Sequence, residues 1–178
     1  MNITIFGGAT AFPGEPIYEE AKRLGRLLAQ AGHTVLTGGY MGTMEAASRG
    51  AAEAGGHTIG VTCEEIERWR SSKANPWVQE EWFLPTLHER VISLIDNSAA
   101  LIALPGGPGT LTEITMAWNR MLIEAIPARP LILVGPGWKA IFEQLFKIQG
   151  AYIADRHRAL LTFADTVDAA ALLVSQGA

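Results

Sequence analysis

Between Leu101 and Glu124 the chain reads L-I-A-L-P-G-G-P-G-T-L-T-E-I-T-M-A-W-N-R-M-L-I-E, and no other stretch constrains the fold as much. An apolar run from Ala99 to Leu104 suits a strand buried on both faces. It stops at Pro105, passes through Gly106, Gly107 and Gly109, and restarts as a helix near Thr110. Glycines let a backbone approach a ligand with no side chain between, and the first turn of a helix offers unpaired N–H groups at its positive end. Strand, glycine turn and helix start together make a seat for an anion, phosphate first among them.

The same pattern recurs along the chain. Asn2 to Phe6 reads as a first strand ending at Gly7 and Gly8, and Ile17 to Ala31 as a surface helix stopped by Gly32. His33 to Thr37 reads as a second strand. It runs into Gly38, Gly39 and Gly42, a second candidate cradle, then into an Ala-rich helix from Thr43 to Ala54 with Thr43 as its cap. Further strands are expected at His57 to Thr62, Gln79 to Leu84, Pro130 to Val134 and Ala159 to Phe163. Helices are expected around Leu87 to Ile95, over Trp138 to Ile148, and over Asp165 to Val174 with Asp165 as the cap.

Strands alternating with helices imply right-handed crossovers and parallel pairing. The expectation is an α/β, Rossmann-like, doubly wound fold with a mostly parallel sheet of about seven strands, residues 1–178 forming a single domain. Only Cys63 to Val78 breaks the alternation and reads as a long loop. In it, Trp69 and Trp77 are placed either to stack on a ligand base or to pack against the domain or a partner.

Charge limits the partners. Lys and Arg total 14 against 18 Asp and Glu, so no global field favours nucleic acid or an anionic membrane, and any phosphate must be bound locally. Cys63 is the only cysteine, which excludes an intrachain disulfide and a cysteine-only metal site. A cytoplasmic location follows as the expectation. The start M-N-I-T-I-F-G-G has no leader-like pattern, and no stretch is apolar for the length of a membrane span.

Two side chains near the glycine turns carry candidate chemistry. Glu113 is either the far half of a capping box with Thr110, as T-x-x-E predicts, or a catalytic carboxylate beside the anion seat. Arg90 is either a solvated ion-pair partner or a donor to a reacting group. His88, near the same helix start, is a structural donor or a substrate contact. The helix over residues 110–125 carries more apolar residues than one sheet-facing stripe needs: Ile114, Met116, Ala117, Trp118, Met121, Leu122 and Ile123, with Ile126 beyond. A homodimer across this helix would use the excess, and so would burial within its own monomer.

The motifs resemble those of a known family. P-G-G-P-G-T-L-T-E at Pro105 to Glu113 is similar to the P-G-G-x-G-T-x-x-E motif of the LOG ("Lonely Guy") family, and L-H-E-R at Leu87 to Arg90 to its upstream motif. T-G-G-Y-M-G-T-M-E-A, from Thr37, resembles the family's G-G-G-x-x-G-x-M segment. The order and spacing of all three agree over nearly the whole chain. The resemblance implies a Rossmann-like nucleotide-binding protein, usually a homodimer, in a family that includes cytokinin-activating phosphoribohydrolases. Those enzymes split the N-glycosidic bond of AMP bearing an N6 substituent, releasing the base and ribose 5-phosphate.

On that resemblance Glu113 is the catalytic carboxylate and Arg90 its partner on the leaving-base side. Gly106, Gly107, Gly109 and Thr110 hold the 5′-phosphate, while Gly7, Gly8, Gly38, Gly39, Gly42, Thr43 and His88 contribute nucleotide contacts. The ligand is a small-molecule nucleoside monophosphate, and no metal or other cofactor is required. Two features depart from the pattern. Val91 follows Arg90 where cytokinin-activating members commonly carry Lys, and the first turn is G-G-A-T rather than Cys-Gly-Ser. These departures keep open a non-catalytic carrier or sensor of nucleotide or molybdenum cofactor. A dinucleotide oxidoreductase fits poorly, because G-x-G-x-x-G is absent after the first strand, and a P-loop NTPase lacks its Gly-Lys-Ser/Thr.

Overall fold

In the computed structural model, which describes residues 1–176, the strands join one sheet. They are β1 (Asn2–Phe6), β2 (Thr34–Thr37), β3 (Thr58–Cys63), β4 (Glu80–Leu84), β5 (Ala100–Ala103), β6 (Leu131–Val134) and β7 (Thr162–Ala164). Every pairing is parallel and the order is β4-β3-β2-β1-β5-β6-β7, so the Rossmann-like expectation holds. The order reverses between β1 and β5. Loops leaving the carboxyl ends of those two neighbours diverge to opposite sides, which opens a crevice there.

Helices fill the connections: α1 (Pro16–Gln30), α2 (Thr43–Glu53), α3 (Glu64–Arg70), α4 (Leu87–Asp96), α5 (Pro108–Leu122), α6 (Pro136–Gln149), α7 (Asp155–Arg158) and α8 (Val167–Gln176). Side-chain alternation along the strands divides the core into two layers. Ile3, Ile5, Val35, Ile102 and Ile132 pack with Tyr18, Leu24 and Leu28 of α1, Ala46 and Ala47 of α2, and Ala170 and Val174 of α8. Phe6, Leu36, Val61, Leu101 and Leu133 face the other way, against Leu94 of α4, Ile114 and Ala117 of α5, and Trp138 and Phe142 of α6.

Several local expectations need correction. The segment from Cys63 to Val78 is not all loop, because α3 occupies Glu64–Arg70. None of its residues is buried, so it carries no apolar stripe for a periodicity argument to find. The last strand sits at Thr162–Ala164, later than Ala159 to Phe163, because the short helix α7 takes up the preceding segment. Thr166, not Asp165, caps α8: its Oγ1 accepts from the Ala169 N–H at 3.2 Å.

The capping box lies elsewhere than expected. Helix α5 begins at Pro108 with Gly107 as its N-cap, two residues before Thr110, and no side chain caps it. Proline's fixed φ and missing N–H favour that earlier start. Glu113 therefore lies well inside the helix and is no cap. The box forms instead on α4, where Thr86 Oγ1 accepts from the Glu89 N–H at 3.2 Å and Glu89 Oε2 accepts from the Thr86 N–H at 3.1 Å. Thr43 is likewise the first residue of α2, with Gly42 as N-cap, and its hydroxyl donates to the Gly8 carbonyl rather than capping.

Candidate functional site

Three turns meet at the switch point. The Gly8 N–H donates to the Pro105 carbonyl at 3.1 Å, and the Gly8 carbonyl accepts from the N–H of Thr43 at 2.9 Å and from its hydroxyl at 3.0 Å. The β1 turn is thus held between the turns that follow β2 and β5. Gly42, at φ +74°, lets the β2 turn come this close, since a Cβ there would fall 2.5 Å from the Gly8 carbonyl oxygen. Above the joined turns lies a cleft of about 850 Å³.

One wall of the cleft is the β5–α5 turn, Pro105 to Thr110. Gly107 and Gly109 have no atoms near where a side chain would project, so the backbone there faces open space. With no side-chain cap on α5, the N–H groups of its first turn remain available beside the cleft, at the positive end of a fifteen-residue helix.

Glu113 and Arg90 face each other on the cleft lining. Arg90 is 4% exposed and Glu113 is 9% exposed, with Nη1 and Oε1 3.8 Å apart. Arg90 Nε donates to the Val61 carbonyl at 2.7 Å and Nη2 to the Gly38 carbonyl at 3.0 Å. Its guanidinium also lies 5.5 Å from the centre of the Tyr40 ring. The Tyr40 hydroxyl is itself held, donating to the Cys63 carbonyl at 3.1 Å and accepting from the Cys63 N–H at 2.9 Å. Arg90 is fixed on one side by these partners, and Nη1 remains to face Glu113.

Burial raises the Glu113 pKa from 4.5 to about 7, and the Arg90 charge opposes that shift without cancelling it. A buried carboxyl with a pKa near neutrality, next to a fixed cation, can take or give a proton at ordinary pH.

The cleft lining brings together Gly7, Gly8, Thr43, Arg90, Gly106, Gly107, Gly109, Thr110 and Glu113. Four other candidates lie outside it. His88 is exposed on α4 and is not part of the lining. Gly38, Gly39 and Gly42 serve packing: Gly38 leaves room for Arg90 and Met44, Gly39 for Thr62, and Gly42 for the β1 turn. Of the two loop tryptophans, Trp69 lines the cleft, while Trp77 stacks under Arg49 at 5.3 Å and does not. Tyr40 and Arg70 were missed by the sequence reading, although a tyrosine inside a glycine turn and an arginine beside Trp69 are both visible there. Among the described residues no group of three His, Cys, Asp or Glu side chains is placed to hold a metal ion, and no helix is long and apolar enough to cross a membrane.

A parallel seven-stranded sheet with an open cleft at its switch point defines an α/β protein of Rossmann-like type. The chain belongs to the SLOG cluster4 family, a LOG-type family whose model matches residues 1–157. It is 30% identical over 135 residues to an uncharacterised protein of Archaeoglobus fulgidus, covering 76% of this chain and 85% of that one. It is also 30% identical over 128 residues to a probable cytokinin riboside 5′-monophosphate phosphoribohydrolase of Oryza sativa subsp. japonica, covering 70% of this chain but only 56% of that one. Among solved structures it is similar to the molybdenum cofactor binding protein of Rippkaea orientalis, with a TM-score of 0.77, 26% identity, and coverage of 98% of this chain and 95% of that one.

Proposed function

We propose that this chain is a cytoplasmic nucleoside 5′-monophosphate phosphoribohydrolase, which cleaves the N-glycosidic bond of AMP or an N6-modified AMP. The observation that carries the reading is the buried Arg90–Glu113 pair beside the uncapped start of α5. The 5′-phosphate lies over Gly106, Gly107, Gly109 and Thr110, in reach of the free N–H groups and the helix dipole. That places the ribose toward Glu113.

Breaking the bond develops positive charge on the sugar, which the ionised carboxylate stabilises. A water attacks the anomeric carbon and Glu113 takes its proton. The bonding electron pair leaves with the base nitrogen, which Arg90 Nη1 stabilises by donation until solvent protonates it. The products are free base and ribose 5-phosphate. A homodimer through α5 belongs to the same reading. Ile114, Ala117, Met121 and Ile126 are used in the monomer's own core, but Leu111 and Ile123 remain 40% and 62% exposed.

Incubation with AMP and chromatography for free adenine tests the activity, with Glu113→Gln alongside. Adenine from the wild type only is the expected result. A second reading, a non-catalytic carrier of nucleotide or molybdenum cofactor, is favoured by Val91, which is 5% exposed and lines the cleft where related enzymes carry a cation. AMP retained without release of adenine would support that reading instead.

A further inference from the structure

Arg90 and Glu113 stop short of a closed salt bridge. A guanidinium and a carboxylate that pair fully approach to about 2.7–2.9 Å, often through two parallel hydrogen bonds. Here Nη1 and Oε1 stay 3.8 Å apart, and among the described residues nothing donates a hydrogen bond to the Glu113 carboxyl. Two backbone carbonyls account for part of this, since Val61 accepts from Nε and Gly38 from Nη2. Both, however, grip the same edge of the guanidinium. A plane held along one edge can still swing about it, and the swing carries Nη1 with it.

Tyr40 is the third restraint, and it acts on the face rather than the edge. The guanidinium carbon lies over its ring, 5.5 Å from the centre, where the aromatic face attracts a cation. The ring is anchored in turn. Its hydroxyl is bound to both the carbonyl and the N–H of Cys63, and the Tyr40 backbone carbonyl accepts from Asn75 Nδ2 at 2.9 Å. The same Nδ2 reaches the Gly39 carbonyl at 3.0 Å. Cys63 precedes α3 and Asn75 follows it, so both ends of the arm that carries α3 are fastened to Tyr40. Tyr40 and Asn75 are both buried.

We propose that Tyr40 is a positioning residue, which holds the Arg90 guanidinium off Glu113 so that Nη1 stays open to the leaving base and the carboxylate to the attacking water. Without the ring, attraction between two buried opposite charges draws Arg90 onto Glu113 and occupies both. The charged and titratable side chains on the cleft lining are Glu15, Tyr40, Arg70, Arg90 and Glu113 itself, and of these only Arg90 acts on the Glu113 carboxyl. The proposal rests on the roles given above to Arg90 and Glu113, and adds the residue that keeps them apart.

NMR titration of the Glu113 carboxyl carbon, in protein made with isotope-labelled glutamate and with Glu113→Gln to assign the signal, reads the separation directly. The wild-type midpoint is expected at about 7. Tyr40→Leu and Tyr40→Met fill the site without a ring, and either suffices for the test if the other folds poorly. Each should lower the midpoint by at least about one pH unit as Arg90 closes on the carboxylate. Tyr40→Phe keeps the aromatic face and should titrate as the wild type does, although it loses the bonds to Cys63 and some stability with them. With AMP, kcat of the two ringless variants should fall at least about tenfold with KM little changed, the pattern of an interaction made in the transition state. A midpoint that is unchanged or raised without the ring overturns the role, and so does Tyr40→Phe behaving like Tyr40→Leu. The titration needs no turnover. A wild type that releases no adenine therefore counts against the proposed hydrolysis alone, while the carboxyl still reports whether Tyr40 holds the pair apart.

Discussion

Gly38 is a glycine because Arg90 occupies the space where its side chain would be: an added Cβ would collide with Nη2 and press on the Met44 sulfur. The same glycine's carbonyl accepts from that Nη2. One backbone position therefore both admits the guanidinium and fixes its direction. Gly38→Ala should lower stability by about 2 kcal/mol through overpacking and reduce turnover nearly as far as loss of Arg90 itself. Denaturant melts and initial rates on Gly38→Ala and Arg90→Met check this. Wild-type rates in Gly38→Ala would show that Arg90 needs no such fixing.

Glu113 makes stability depend on pH in a defined window. Burial raises its pKa from 4.5 to about 7, so the native state holds this proton more tightly than the unfolded chain does. The contribution is fully present below pH 4.5 and is lost as pH rises through about 7. Glu113→Gln has no proton to lose. Its stability relative to the wild type should therefore improve by on the order of 3 kcal/mol between pH 4.5 and pH 8. Urea melts of both proteins at the two pH values measure the difference, and an unchanged gap would mean that folding does not perturb this carboxyl.

On the proposed mechanism the same group sets the acid limb of activity. If ionised Glu113 is the base, kcat/KM should rise about tenfold per pH unit below 7 and level off above it. Arg90 opposes the upward shift, so Arg90→Met should move that limb to higher pH as well as lowering the rate. A limb that stayed in place in Arg90→Met would assign it to a different residue.

Val91 closes the cleft floor with an apolar side chain, between the core and the opening. Val91→Lys should lose about 1 to 2 kcal/mol of packing while its ammonium extends into the cleft. Nucleotide hydrolysis should rise if the missing cation limits this chain. Adenine release seen only in the variant would identify position 91 as the point that separates a binder from a hydrolase on this fold.

The capping box gives a control whose two side chains lie outside the cleft lining. Thr86→Ala removes the acceptor for the Glu89 N–H and should cost about 1 kcal/mol, with ligand affinity unchanged because neither residue lines the opening. A large loss of affinity would show that the α4 start positions Arg90 more tightly than its own hydrogen bonds do.

The strands and glycine turns were legible because periodicity and punctuation record burial and backbone conformation directly. What the sequence concealed was which neighbour each group serves. T-x-x-E occurs at Thr86 and again at Thr110, but only the first is a capping box, since Pro108 starts α5 early and carries Glu113 inward. Gly38 and Gly106 look alike in the chain. The first makes room for a guanidinium, while the second lies in the cleft wall. Helix α3 was invisible because a helix that buries nothing leaves no apolar period, and Arg70 was hidden with it.

Gly8 hydrogen-bonds to residues that follow β2 and to residues that follow β5, on either side of its own strand. The cleft floor cannot assemble from the first half of the chain alone, because Pro105 must arrive before the β1 turn is held from both sides. Closing that contact is a late, long-range event in folding, and a fragment ending before β5 would have no site to offer. A ligand seated on the three turns is therefore coupled to the whole sheet. Saturating it should raise the temperature of global unfolding, rather than only stiffen a loop.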